Sequence, residues 1–147
     1  MKIGIVGYSS NHIDEVSGAQ LLEREIAKII SSGLAVDTVE IVTGLTNIGI
    51  PKLAYQIADQ KLYTKIGISA RQAYQVKCGV YPVDKEIIIG EVFGDESQTF
   101  VDYIEYLLRI GGGKQSAHEV HLFKEKCARL NWHLSERLFE QEFSLKN

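Results

Sequence analysis

A chain of 147 residues fits one ordinary domain, and folding at this length buries roughly 68 to 70% of the unfolded surface, enough for a single sizeable core. Apolar residues at 45% and charged residues at 24%, with 13 Gly but only 2 Pro, exclude a disordered or fibrous chain. A net charge of -3 draws in neither nucleic acid nor anionic membrane, and Cys78 and Cys127 lack the spacing of a disulfide scaffold, a zinc module or a CxxC motif.

The first element expected is a buried strand over Lys2 to Gly7, stopping at glycine and feeding the polar turn Tyr8 to His12. The five-residue apolar stretch here is too short for a secretory signal, and no run is long enough to span a membrane, so the chain reads as cytosolic. From Asp14 to Ser32, Leu22, Ile26, Ile29 and Ile30 recur at three- and four-residue steps, predicting an amphipathic helix capped by Asp14 and closed by Gly33. The β-branched run 37–43 predicts a second strand ending at Gly44. After a loop from Leu45 to Ile50, Pro51 suits the first turn of a helix whose apolar face is Leu53, Ala54, Ile57 and Ala58. Residues 64–69 return to strand character.

Residues 70–84, with Gly79 and Pro82, lack a clean period and read as an irregular excursion. Three successive isoleucines within Glu86 to Gly90 predict a strand buried on both faces. Asp95, Glu96 and Ser97 open a short helix to about Tyr103, with acidic groups at its positive end. The strand Tyr106 to Ile110 runs into Gly111-Gly112-Gly113, and Val120, Phe123, Cys127 and Leu130 mark the helix beyond. A last strand is expected near Trp132 to Leu134. The tail from Glu136 fits a helix and a docked extended segment equally well.

This alternation predicts a single α/β domain over 1–147, a Rossmann-like three-layer sandwich of five or six mostly parallel strands with helices on both faces. Such sheets bind ligands beyond the carboxyl ends of their strands, which directs attention to the glycine-containing turns Gly7 to His12, Gly44 to Ile50 and Gly111 to Ser116. In the third, three glycines carry no Cβ, so the backbone can approach a ligand closely while the helix start offers unpaired amides to a phosphate. Lys114 adds a point charge there, and Gln115 and Ser116 add hydrogen-bond donors. The turn is neither a Walker A loop nor a GxGxxG fingerprint. A purely architectural reading stands beside it: Ser116-Ala117-His118-Glu119 has the form of a capping box, with Ser116 and Glu119 exchanging bonds with each other's amides.

In the first turn, Ser9 and Ser10 can donate to a phosphate or a ribose hydroxyl, or simply form the turn; in the second, Gly44 and Gly49 either let the chain pass close to a base or sugar or serve turn geometry alone. Arg109 lies in a strand expected to be buried and needs a partner, for which Asp95 or Glu96 is the first expectation and the ligand site the second. His118 and His121 share a helix face, but HEVH is one residue short of the zincin pattern, so no metal is assigned. Tyr74, Tyr81 and Trp132 suit either base stacking or packing.

The chain resembles the SLOG superfamily, which joins the LOG-type phosphoribohydrolases, often called lysine decarboxylase-like proteins, with the DprA and Smf DNA-processing proteins. The LOG signature Pro-Gly-Gly-x-Gly-Thr-x-x-Glu falls on Gly111 to Glu119, keeping Gly112, Gly113 and Glu119 and replacing threonine with Ser116. Gly111 and Gln115 stand where that family has proline and glycine. Val6-Gly7-Tyr8-Ser9-Ser10 is similar to its first Gly-Ser-Ser loop, and Thr43 to Pro51 to its second glycine loop. The resemblance implies a nucleotide or nucleotide-sugar ligand, commonly held in a homodimer or higher homo-oligomer; beyond such a phosphorylated ligand the sequence assigns no certain cofactor. It also implies Glu119 as the catalytic group if the chain hydrolyses an N-glycosidic bond. The family's arginine in an Arg-Lys motif upstream of the glycine turn has no counterpart, because Glu91 to Glu105 contains no Arg or Lys, leaving Arg71 and Arg109 as substitutes outside the motif. The expectation is therefore a binding or sensor module, with a phosphoribohydrolase as the alternative. DprA-like DNA binding ranks last, because an acidic chain contacts phosphate backbones poorly.

Overall fold

The computed structural model describes residues 1–33 and 38–146. Six strands form one sheet, β1 (Lys2–Gly7), β2 (Glu40–Thr43), β3 (Thr64–Ser69), β4 (Lys85–Ile88), β5 (Tyr106–Ile110) and β6 (Leu138–Gln141), in the order β4-β3-β2-β1-β5-β6. Every pairing is parallel. Four α-helices, α1 (Glu15–Ser32), α2 (Gly49–Lys61), α3 (Ser97–Tyr103) and α4 (Lys114–Leu130), connect the strands. The expected start of the second strand, at Asp37, lies outside the described residues.

The side chains of β1 show why helices cover both faces. Ile3 and Ile5 join a cluster with Leu22, Ile26 and Ile29 of α1 and Leu53, Ala54 and Ile57 of α2. Val6, one residue out of phase with that pair, joins Phe100 and Ile104 around α3 with Val120, Phe123 and Cys127 of α4. Alternation along a strand sends neighbours to opposite faces, so two apolar clusters form on a single sheet and the result is a three-layer Rossmann-like sandwich. At about 1.5–3 kcal/mol per fully buried large apolar side chain, these two clusters are the main favourable term in folding.

Helix α1 starts where expected, with Asp14 accepting the Ser17 amide at 3.1 Å. That bond holds the Asp14 carboxyl below its ordinary range. Pro51 sits in the first turn of α2. At the far end of α2 the chain turns through Leu62 in the left-handed conformation (φ 61).

Two expectations need correction. The isoleucine-rich strand is not buried on both faces: β4 is the edge of the sheet, pairs with β3 alone, and exposes Lys85 and Glu86. Hydrophobic runs report that apolar contacts exist, not how many neighbours a strand has. The segment Trp132 to Leu134 is not a strand; Trp132 instead packs under the Arg137 guanidinium, 4.2 Å from the ring centroid, and the last strand begins at Leu138. Beyond it the tail is a docked extended segment, with Phe143 against the first cluster and the Lys146 amide donating to His12 O at 2.6 Å. The acidic run does stand at the start of α3, with Glu96 as its cap residue and Asp95 before it, but neither side chain bonds an amide of the helix. Asp95 Oδ2 takes the amides of Glu91 and Val92, and Glu96 Oε1 takes that of Gly94.

The strand order places a switch point between β1 and β5. The chain leaves β1 toward β2, β3 and β4, then returns through α3 to β5 on the other side of β1. Loops at the carboxyl ends of β1 and β5 therefore diverge, and a crevice opens between them.

Candidate functional site

A cavity of about 560 Å³ occupies that crevice. Its walls come from all five strand ends that face it: Gly7, Tyr8 and Ser9 at β1, Thr43, Gly44 and Thr46 at β2, Ser69 and Val76 to Cys78 at β3, Phe93 and Glu96 after β4, and Gly113 to Ser116 with Glu119 after β5. Of the residues singled out in the sequence, the structure brings Gly7, Ser9, Gly44, Gly113, Lys114, Gln115, Ser116 and Glu119 to this cavity. Ser10, Gly49, Gly111 and Gly112 do not line it. Ser10 Oγ accepts the His12 amide, while Gly49 passes beneath the first loop with φ 65, where an added Cβ would lie 2.1 Å from Tyr8 O. Gly49 thus joins the second loop to the first and fixes the crevice floor.

The glycine turn is shaped by Arg109. Its guanidinium donates to Gly111 O at 2.8 Å and to Gly112 O and Gly113 O at 3.4 Å, and its Nε also reaches Ser116 Oγ at 3.1 Å. Glu140 balances its charge at 3.6 Å. The expected partners Asp95 and Glu96 are elsewhere, because β5 places Arg109 beside β6 and above the turn that follows its own strand. Within a planar peptide the carbonyl and the next amide point oppositely. Carbonyls drawn to Arg109 therefore turn the amides of Gly112, Gly113 and Lys114 away from it, and Gly113 and Lys114 line the cavity.

Among the described residues, Gly111 N is met by Gln141 O and Ala117 N by Gly113 O, while the amides of Gly112 to Ser116 find no protein acceptor. A run of free amides at a helix start carries partial positive charge and suits an anion. Gly112 makes this shape possible: its φ is 99, and a Cβ there would lie 2.3 Å from Ser116 Oγ.

The expected capping box does not form. Helix α4 begins at Lys114 after Gly113, so Ser116 lies inside the first turn, and its Oγ donates to Gly113 O at 2.9 Å. Glu119 is released from any capping duty. It is only 5% exposed, at the cavity wall, and its Oε2 accepts from Ser97 Oγ at 3.0 Å. Burial pushes its carboxyl up to about 7, helped by the nearby charge of Glu96 and opposed by hydrogen bonds from Ser97 and Gln115. A carboxyl with that value can give or take a proton near neutral pH.

Sequence reasoning missed the walls after β3 and β4. The segment 76–81 is fixed across the crevice: Asn47 N donates to Gly79 O, Tyr81 N to Leu45 O, and the Tyr81 ring stacks on Tyr55 with centroids 5.1 Å apart. Its contribution of Val76, Lys77 and Cys78 had no local pattern to announce it. The only available signal was the fold rule itself, which covers every strand end rather than only those rich in glycine. Arg71, one substitute for the missing family arginine, pairs with Glu91 on the surface, and Arg109 is committed to the turn. The cations among the described residues lining the cavity are Lys77 and Lys114. No group of three or more metal-ligating side chains occurs among the described residues, and no described helix is long and apolar enough to cross a membrane.

No protein-family model and no curated protein matches this sequence. Solved structures do resemble it in fold. The molybdenum cofactor carrier protein from Chlamydomonas reinhardtii is 18% identical with a TM-score of 0.64, over 97% of this chain and 89% of that one. The molybdenum cofactor binding protein from the phototrophic bacterium Rippkaea orientalis gives the same values. The structural-genomics protein TM1055 is 20% identical with a TM-score of 0.62, over 85% of this chain and 69% of that one. These likenesses are of fold, a Rossmann-like α/β domain.

Proposed function

We propose that this protein, a divergent SLOG-type domain, binds a phosphate-bearing small molecule of the nucleotide or nucleotide-sugar type, and that it works as a binding or sensor module. The observation that carries this reading is the set of free amides from Gly112 to Ser116, those of Gly112 to Lys114 turned from Arg109, beside a cavity of about 560 Å³. The amides and Lys114 hold the phosphate, with Gln115 beside them. Ser9 and Gly44, on the loops opposite, bound the space for the remainder of the ligand. The cavity exceeds what inorganic phosphate needs and lies within the size range of small-molecule sites. The names of two fold relatives, one a carrier and one a binder of the molybdenum cofactor, support a holding role for the crevice.

Phosphoribohydrolase activity is the second reading, favoured by Glu119 alone, whose carboxyl is buried, near neutral in pKa and free of helix capping. Among the described residues, no guanidinium lines the cavity to serve as its cationic partner. One experiment separates the two. Adenosine, guanosine, cytidine and uridine monophosphates are titrated calorimetrically, and free base is followed by chromatography for wild type and Glu119→Ala. Saturable binding without base release supports the module. Base release lost in Glu119→Ala supports the hydrolase, and no binding of any of the four at millimolar concentration overturns both.

A further inference from the structure

The loop between β4 and α3 exposes two large apolar side chains, Val92 at 57% and Phe93 at 37%, and Phe93 lines the cavity. Exposed apolar residues on a loose loop mean little. This loop is built. Its four successive amides, Glu91 to Gly94, are each taken by a side-chain oxygen: Asp95 Oδ2 at 2.9 and 3.1 Å, Gln72 Oε1 at 2.9 Å and Glu96 Oε1 at 2.6 Å. The main chain is tied down as well, since Arg71 N donates to Gly90 O and Gln72 N to Glu91 O. Gly90 and Gly94 both have positive φ, at 72 and 108, so the turn is specified by its sequence at each end. Fixing a segment costs conformational entropy, and here that cost secures an aromatic ring at the mouth of a cavity instead of within a core.

Resting on the phosphate-binding reading above, we infer that Phe93 is the platform on which a planar heterocyclic ring of the ligand stacks, making this loop the part of the site that selects a ring-bearing phosphate over a bare sugar phosphate. The order of groups along the wall matches the order of parts in such a ligand. Phe93 lies in the loop four residues before Ser97, the first residue of α3; Ser97 holds Glu119, and Glu119 lies one turn beyond Ser116 and the free amides. Ring, polar middle and phosphate thus meet an aromatic face, a hydroxyl with a carboxyl, and an anion seat in sequence. Val76, Ile48 and Pro51 add apolar wall to the same cavity and suit the edges of a ring. A flat aromatic face accepts many rings without reading their hydrogen-bonding edges, so the platform confers preference for a class rather than for one base.

The test compares adenosine monophosphate with ribose 5-phosphate in calorimetric titrations of wild type, Phe93→Ala and Phe93→Tyr. Wild type should bind the ring-bearing ligand more tightly. Phe93→Ala should weaken that binding about tenfold, the scale of one stacking contact, and leave ribose 5-phosphate unchanged, while Phe93→Tyr restores it. Equal adenosine monophosphate affinity in wild type and Phe93→Ala overturns the platform and leaves the phosphate seat standing. A parallel loss of both ligands also overturns the platform, because a stacking face touches only the ring-bearing one. If wild type binds neither ligand, the phosphate-binding reading falls and takes this inference with it.

Discussion

Glu119 shows how one side chain's meaning depends on where its helix begins. Three residues after Ser116, it satisfies a capping pattern, yet α4 starts two residues earlier and leaves the carboxyl buried against Ser97. Its folded value of about 7 against an ordinary 4.5 means that the folded chain holds a proton the unfolded chain has lost between those two pH values. Stability therefore falls as pH rises from about 4.5 through 7 and levels off above, by up to roughly 3 kcal/mol from this group. Glu119→Gln keeps an acceptor for Ser97 without the charge. Its advantage over wild type should be near zero at pH 4 and grow to its full size by pH 8, measured by urea denaturation across the range. A difference that does not vary with pH would show that Glu119 is not desolvated as described. The same reasoning applies to ligand binding: a phosphate near Glu119 favours its protonated form, so binding should take up a proton near pH 7. Arg109 acts by contrast through others. It touches the carbonyls of the turn and orients amides that it does not itself contact.

At the scale of elements, ends matter more than middles. Helix α2 is capped by Leu62, which is 91% exposed with φ 61, its amide returning to Asp59 O and that of Tyr63 to Ala58 O. A left-handed leucine costs about 1–2 kcal/mol that glycine would avoid, partly offset by the greater freedom of glycine in the unfolded chain. Leu62→Gly should therefore raise stability by up to about 1 kcal/mol, seen as a higher urea midpoint with an unchanged denaturant slope. A lowered midpoint would show that Leu62 makes contacts that matter despite its exposure. The last strand and tail form the other informative end. Gln141 O takes the Gly111 amide, and a Cβ on Gly111 would lie 2.4 Å from Phe143 O, so the carboxyl-terminal segment is pressed against the glycine turn. The tail is thereby a structural support of the candidate site.

The whole molecule makes that support testable. Ending the chain after Arg137 removes β6, uncovers the β5 edge and takes Phe139 and Phe143 from the first cluster. Two partly buried aromatics, each contributing less than the about 1.5–3 kcal/mol of full burial, predict a loss of up to about 3 kcal/mol and a chain prone to edge-to-edge association, measured by thermal unfolding and light scattering. Unchanged unfolding would mean that the sheet is complete at β5. Much of this architecture was legible along the chain. The amphipathic period from Leu22 to Ile30, the β-branched strands and the turns at Gly7, Gly44 and Gly111 follow from residue preferences acting over a few positions, and the parallel sandwich follows from their alternation. Those same short-range preferences marked eight residues that reach the cavity. What they left open was decided across the sequence. Ile87 and Ile88 lie on an edge because no further strand pairs with β4, Ser116 is held by Arg109 from the preceding strand, and the walls at 76–81 and 91–94 are set by Asn47, Tyr55 and Gln72. Period and turn chemistry are properties of neighbours in sequence, whereas strand order, desolvation and the partner of a buried charge depend on residues that meet only once the sheet has assembled.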